Sequence, residues 1–286
     1  MTFGRLPLPA TLEVFSIDGL TAFRAPAFGA ERGVALFVPG FTGSKEDHRF
    51  LVALAAEHGW ESFSYSQRGQ GDSIAPVGVE EYTLEKLAGD AVAVARRIAN
   101  GRRVHLVGHS LGGLVARAAA IFEPGLFADV TMLCSGPGGQ GPEHHQDDAA
   151  FVAAHGTLAW WEHNNPQGAR DEDEVFVRER AAASSDDNFV GLAAILRDTE
   201  DSTDELRATG LPVLIAHGDA DDAWPIASQL DMATRLGARY EVIPNAGHLP
   251  NIDNPTYTTE LLDSFWSSDH PTDHPHDGTT IHSRRT

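Results

Sequence analysis

The run VHLVGHSLGGLVARAAAIF, residues 104–122, constrains the fold more than any other stretch. Val104 to Gly108 is a short, largely apolar run of strand length, and Leu114 to Phe122 has helical composition. Between them stand Gly108-His109-Ser110-Leu111-Gly112 and then Gly113. A serine with glycines two residues before and two after fits a sharp, strained strand-to-helix turn. Side chains at those positions would block the close approach of the flanking backbone. A helix that opens directly off a buried strand points to an alternating α/β architecture.

The surrounding pattern agrees. LEVFSI (12–17) and TAFRA (21–25) read as a hairpin around Asp18-Gly19-Leu20. VALFV (34–38) is a continuous apolar run, as for a strand buried on both faces. Ser44, with Asp47 three residues on, is placed to open a helix that ends near Gly59. ESFSYS (61–66), VHLVG (104–108) and VTMLC (130–134) are the next strands, with helices at 80–100 and 111–122 and Thr83 as a cap. This β-α-β-α-β order predicts a mostly parallel central sheet with helices on both faces.

From Gly136 to Thr209 the strand signal disappears. That stretch is helical in pattern and acidic, with 5 Lys and Arg against 16 Asp and Glu. The alternation resumes at LPVLIAHG (211–218), then a helix with Pro225 near its first turn, the strand RYEVI (239–243) and a helix opened by Asn254-Pro255. The simplest reading is a core of 1–135 and 210–266, interrupted by a helical lid at 136–209. Residues 267–286 are polar and without period, as in a disordered tail.

Composition narrows the partners. The net charge of −20 opposes binding to nucleic acid and to anionic membranes. No stretch reaches the roughly 18 apolar residues of a membrane-spanning helix. The N-terminal residues lack a secretory pattern, and the single cysteine, Cys134, excludes an internal disulfide. A cytoplasmic protein acting on a small molecule is expected, with its oligomeric state open. The histidines of EHHQDD (143–148) match no zinc spacing well, and His270, His274 and His276, which could hold a metal weakly, read from their composition as part of a solvated tail. No metal and no other cofactor is expected.

GHSLGG, in its strand–turn–helix setting, resembles the nucleophile elbow of the α/β-hydrolase family, and the resemblance extends over most of residues 12–266. It implies a serine nucleophile, Ser110, followed along the chain by an acid and then a histidine. A serine hydroxyl needs a histidine to take its proton, and the histidine needs a carboxylate to fix its tautomer. His248, in the loop NAGHLP after RYEVI, lies where relatives keep that histidine. His217, at a strand end, reads as structural, and His144, His145, His155 and His163 fall in the lid.

The acid falls in GDADDAWP (218–225). The family's pattern resembles G-x-x-D-x-x-x-P, and with Gly218 and Pro225 as its ends it selects Asp221. Asp219 and Asp222 then read as solvated residues or as turn-holding ones. The resemblance implies an oxyanion hole from two backbone N–H groups, those of Leu111 and Phe41. Phe41 stands in VPGFTGS, where many relatives carry His-Gly-x. Here Pro39 replaces that histidine, offers no N–H, and removes a common buttress of the loop. The turn QRGQGDS (67–73) resembles another family motif and reads as structural.

Ser110 excludes the epoxide and haloalkane chemistry of relatives that carry aspartate in the elbow. What the resemblance implies is acyl transfer: hydrolysis of a carboxylic ester or related acyl bond through an acyl-enzyme. Carbon–carbon bond hydrolysis or perhydrolysis with the same residues, and slow-turnover ligand binding, are the alternatives. Trp160, Trp161 and Trp224 are candidates for an apolar substrate pocket.

Overall fold

The computed structural model describes residues 6–141, 143 and 145–268. Among the described residues, eight strands form one sheet: β1 (Glu13–Ile17), β2 (Leu20–Ala25), β3 (Gly33–Val38), β4 (Trp60–Tyr65), β5 (Val104–His109), β6 (Phe127–Leu133), β7 (Val213–Gly218) and β8 (Arg239–Ile243). Their spatial order is β1-β2-β4-β3-β5-β6-β7-β8. β1 and β2 pair antiparallel, as do β2 and β4, and every pair from β4 to β8 is parallel. Parallel neighbours need crossover connections, and helices supply them.

The helices are α1 (Arg49–Glu57), α2 (Leu84–Ala99), α3 (Leu111–Phe122), α4 (Gln146–His155), α5 (Thr157–Asn164), α6 (Glu172–Ala183), α7 (Asp186–Asp198), α8 (Thr203–Ala208), α9 (Ile226–Leu236), α10 (Pro250–Asp253) and α11 (Pro255–Trp266). The continuous apolar runs follow from burial on both faces. Leu36, Leu106 and Ile215 lie in one core with Leu87 of α2, Leu114 of α3 and Met232 of α9. Phe37, Val107 and Leu214 lie in the opposite core with Leu51 of α1 and Leu262 of α11. Alternate residues of one strand therefore serve two cores.

The helix starts follow local chemistry. Thr83 caps α2 by accepting the Lys86 N–H, and Asn254 caps α11, with Pro255 at its first position. Asp47 Oδ2 accepts the Ser44 N–H at 3.1 Å, but the first turn there, Lys45–His48, is a 3-10 helix that runs into α1. Pro225 sits at the N-cap of α9, directly before its first turn. Residues 136–209 carry α4 to α8 and, among the described residues, no strand. Of the expected tail, 269–286 lies outside the described residues, as do His270, His274 and His276. Ser267 is described, and its hydroxyl accepts from Arg32 at 2.5 Å. Among the described residues no helix is long and apolar enough to cross a membrane.

Candidate active site

Four loops leave the C-terminal ends of β3, β5, β7 and β8 on one rim of the sheet, where open α/β folds place their sites. Ser110 is held at φ 55° and ψ −124°, a left-handed conformation that costs a non-glycine residue energy. The flanking glycines make it possible. A Cβ on Gly108 would lie 2.1 Å from the Gly112 carbonyl oxygen, and one on Gly112 would lie 2.2 Å from the Val38 carbonyl oxygen. The strained turn brings Ser110 to the N-terminus of α3, where unpaired N–H groups and the helix dipole favour negative charge.

His248 is brought to Ser110 by the loop after β8. Its Nε2 lies 3.0 Å from the Ser110 Oγ, and its Nδ1 lies 2.8 Å from Asp221 Oδ1. A carboxylate only accepts, so Nδ1 carries the proton and Nε2 is free to accept the serine's. Burial works to raise the Asp221 pKa. Hydrogen bonds from His248, from the Gln229 side chain and from the Ala223 N–H outweigh it and hold the carboxyl below its ordinary value. The Asp221 carboxyl is thereby held in its charged form beside the imidazole.

Of the three clustered aspartates, only Asp221 meets His248. Asp219 accepts the backbone N–H groups of Asn245 and Ala246, and Asp222 is exposed. His217 is buried, with Nε2 2.6 Å from the Tyr240 hydroxyl and Nδ1 2.7 Å from the Gly218 carbonyl, a framework role. His155 and His163 stack on Phe151, and His145 lies against Phe41 and Asp148. His144 falls outside the described residues.

Leu111 is the first residue of α3, and Phe41 lies in the loop after β3. That loop touches the elbow: a Cβ on Gly40 would lie 3.0 Å from the Ser110 Cβ. Among the described residues, neither the Phe41 nor the Leu111 amide donates in the turn and cap hydrogen bonds.

Trp160 and Trp161 line a cavity of about 240 Å³ with Thr42, Val177, Asn188 and Phe189. Phe189 stacks on both Trp160 and Phe41, at 4.9 and 4.7 Å between centroids, which joins the cavity wall to the loop after β3. Trp224 does not line this cavity. It is buried, donates to the Gly138 carbonyl at 3.3 Å, and packs edge-on against Gly136, with its ring 6.5 Å from His248.

Three contacts escape sequence reading. His109 donates from Nε2 to the His248 carbonyl at 2.7 Å. Burial, reinforced by the neighbouring His248, lowers its pKa to about 3, so it remains a neutral donor. Gln229 backs Asp221 from α9, and nothing short-range links residues eight apart across a loop. Cys134, His109 and His248 bring potential metal-ligand atoms within 4.8 Å of one another. Their chemistry opposes an ion: both His248 nitrogens are engaged, His109 Nε2 is engaged, and burial together with the Asp221 charge pushes the Cys134 thiol well above its ordinary pKa.

Comparison with known proteins adds independent findings. The model described as "Alpha/beta hydrolase family" matches residues 35–261. A non-heme haloperoxidase of Rhodococcus erythropolis is 27% identical over 273 residues, 87% of this chain and 97% of that protein. A putative 2-succinyl-6-hydroxy-2,4-cyclohexadiene-1-carboxylate synthase of Bacillus subtilis is 24% identical, over 80% of this chain and 88% of its own length. The crystal structure of the enol-lactonase from Burkholderia xenovorans LB400 superposes with a TM-score of 0.73 at 21% identity, covering 90% of this chain and 100% of that one.

Proposed function

The chain belongs to the α/β-hydrolase family, and on that premise we propose that it is a serine hydrolase cleaving a carboxylic ester or related acyl bond through an acyl-enzyme. The observation that carries this reading is the continuous relay from Ser110 Oγ through His248 to Asp221, with separations of 3.0 and 2.8 Å. Ser110 Oγ attacks the substrate carbonyl carbon while His248 Nε2 takes its proton. The negative charge on the former carbonyl oxygen is met by the N–H groups of Phe41 and Leu111. Collapse breaks the acyl–oxygen bond, and His248 returns the proton to the departing alkoxide. Water then loses a proton to His248 and attacks the acyl carbon, which frees the acid and restores Ser110.

The cavity beside Phe41 suggests the acyl partner. Its lining, from Thr42 and Thr157 to Asn188 and Phe189, contains no titratable side chain. An uncharged aryl or short-to-medium alkyl group suits it, because a charged group would lose its hydration with no partner. Residues 136–209, the proposed lid, supply all of this lining except Thr42.

A fluorophosphonate should label the protein, and Ser110→Ala should abolish the label. Hydrolysis of p-nitrophenyl esters from acetate to dodecanoate should peak at short or medium length. A folded protein that takes no label contradicts the proposal. A second reading draws on the haloperoxidase relative: hydrogen peroxide replaces water in the second half-reaction, giving a peracid. Halide oxidation that requires both peroxide and a carboxylic acid, and is lost in Ser110→Ala, would establish it.

A further inference from the structure

We infer that Gln70, seconded by Gln67, is a positioning residue for the oxyanion hole, replacing the histidine that Pro39 displaces. The inference rests on the acyl-transfer reading above. Gln70 Nε2 donates to the Gly40 carbonyl at 2.8 Å, and Gln67 Nε2 donates to the Pro39 carbonyl at 2.9 Å. Both side chains are buried, Gln70 completely. The orientation of the Gln70 amide is determined, because its Oε1 accepts the Gln67 N–H at 3.1 Å.

The Gly40 carbonyl and the Phe41 N–H belong to one peptide unit. That unit is planar and trans, so the two groups point in opposite directions. A donor that fixes the Gly40 oxygen therefore fixes the direction of the Phe41 N–H. The Gly43 N–H reaches the same oxygen at 3.2 Å, so Gln70 completes a two-donor clamp on a turn otherwise held by one backbone bond. The peptide lies against the nucleophile, given the 3.0 Å separation of a Gly40 Cβ from the Ser110 Cβ. Rotation of this plane would swing the Phe41 N–H away from the place where charge develops.

Burying two side-chain amides is costly unless their hydrogen bonds are made. These two spend their donors on consecutive carbonyls of one loop, which is the pattern of a brace. The turn that carries them also binds the lid. The Arg68 carbonyl accepts from Asn188 at 2.8 Å, the Gly69 carbonyl from the Ser185 N–H at 2.8 Å, and the Gly71 N–H donates to Ser184 at 3.0 Å. A positive φ at Gly69, and an added Cβ that would fall 2.5 Å from Asn188 Cβ, explain why glycine occupies this junction. The family-like QRGQG turn thus stands between lid and oxyanion loop.

The test compares wild type with Gln70→Leu, which keeps bulk and removes the donor, and Gln70→Asn, which keeps an amide too short to reach Gly40. Three quantities are read: kcat and KM on p-nitrophenyl acetate, the inhibition constant of phenylboronic acid, and the melting temperature. Loss of a fully aligned oxyanion donor lowers kcat by about 10²–10³-fold, so partial misalignment should cost roughly 10–100-fold. KM should stay within about twofold, and boronate affinity, which reports the tetrahedral state, should fall in step with kcat/KM. A variant that folds with kcat unchanged, or that loses KM and kcat together with its melting temperature, overturns the inference. Should Gln70→Leu fail to fold, Gln70→Asn decides. If wild type itself takes no fluorophosphonate label, the acyl-transfer reading fails; if it is labelled and both variants are labelled as fast, the role of Gln70 alone fails.

Discussion

Asp219 Oδ2 accepts the Asn245 backbone N–H at 3.0 Å, and its other oxygen accepts the Ala246 N–H at 3.2 Å. The aspartate two residues before Asp221 thus anchors the loop that carries His248, while Asp221 bonds the imidazole itself. The backbone N–H bonds from Asn245 and Ala246 hold the Asp219 carboxyl below its ordinary pKa.

These two routes to one histidine separate in mutants. Asp221→Asn places an amide against Nδ1, favours the wrong tautomer, and should lower kcat by about 10⁴-fold with little change in KM. Asp219→Asn keeps one acceptor and leaves the relay's chemistry intact, so kcat should fall by no more than about tenfold through small shifts in position. Steady-state kinetics on one activated ester checks both. A dead Asp219→Asn beside an active Asp221→Asn would reverse the assignment.

Acid sensitivity should come from two histidines outside the relay. Burial lowers the pKa of His48 to about 4 and of His109 to about 3, against an ordinary value near 6.5. Between these values the unfolded chain binds protons that the folded chain refuses, so stability falls as pH drops below about 6.5 and levels off near the folded pKa. Each histidine should contribute a slope of about 1.4 kcal/mol per pH unit within that window. Urea titrations at pH 7, 6 and 5 measure it. His48→Gln should flatten the profile, and an unchanged slope in that variant would show that His48 is protonated in the fold.

Much of the framework is legible in sequence for physical reasons. Strands buried on both faces must be apolar throughout, as VALFV and VLIA are. The sharp turn at Ser110 must be flanked by glycine, because Gly112 approaches the Val38 carbonyl. Asn254-Pro255 opens a helix because each residue suits its position. The contacts that tune the site are not legible this way. Gln70 meets Gly40 across 30 residues, His109 meets His248 across 139, and Arg180 meets Asp47 across 133. Side-chain donors carry no local signature of a distant carbonyl. Trp224 adds another such contact, its ring packing on Gly136.

Arg180 should fasten the helical insertion to the core. From α6 it donates to Asp47 Oδ1 at 2.6 Å and to the Ser44 hydroxyl at 3.2 Å, and Asn251 of α10 donates to the Asp47 carbonyl at 2.7 Å. Burial acts to raise the Asp47 pKa, and the Arg180 charge and hydrogen bond outweigh it. Arg180→Met leaves the half-buried Asp47 carboxylate without its charged partner, though the Ser44 N–H still donates to it, and should cost about 1–3 kcal/mol. Hydrogen exchange should rise in α5 to α7 first and only slightly in β5. Equal protection in wild type and Arg180→Met would remove Arg180 from this role.

Gly218 fixes the spacing between the two loops that meet at the relay. A Cβ there would lie 2.2 Å from the Gly247 carbonyl oxygen and 2.3 Å from that of Ala246, and both obstacles are backbone. Gly218→Ala must therefore push the His248 loop away from the end of β7 and from the following loop, which carries Asp221. A displacement of about 1 Å at a reacting group can cost 10²-fold in rate, so activity should fall at least that far, with a lower melting temperature. Gly125→Ala is the control, since nothing lies within 4 Å of its added Cβ. It should leave both quantities unchanged. If Gly218→Ala retains full activity, the two loops have more freedom than their contact implies, and the relay distances are set instead by the Asp219 anchor.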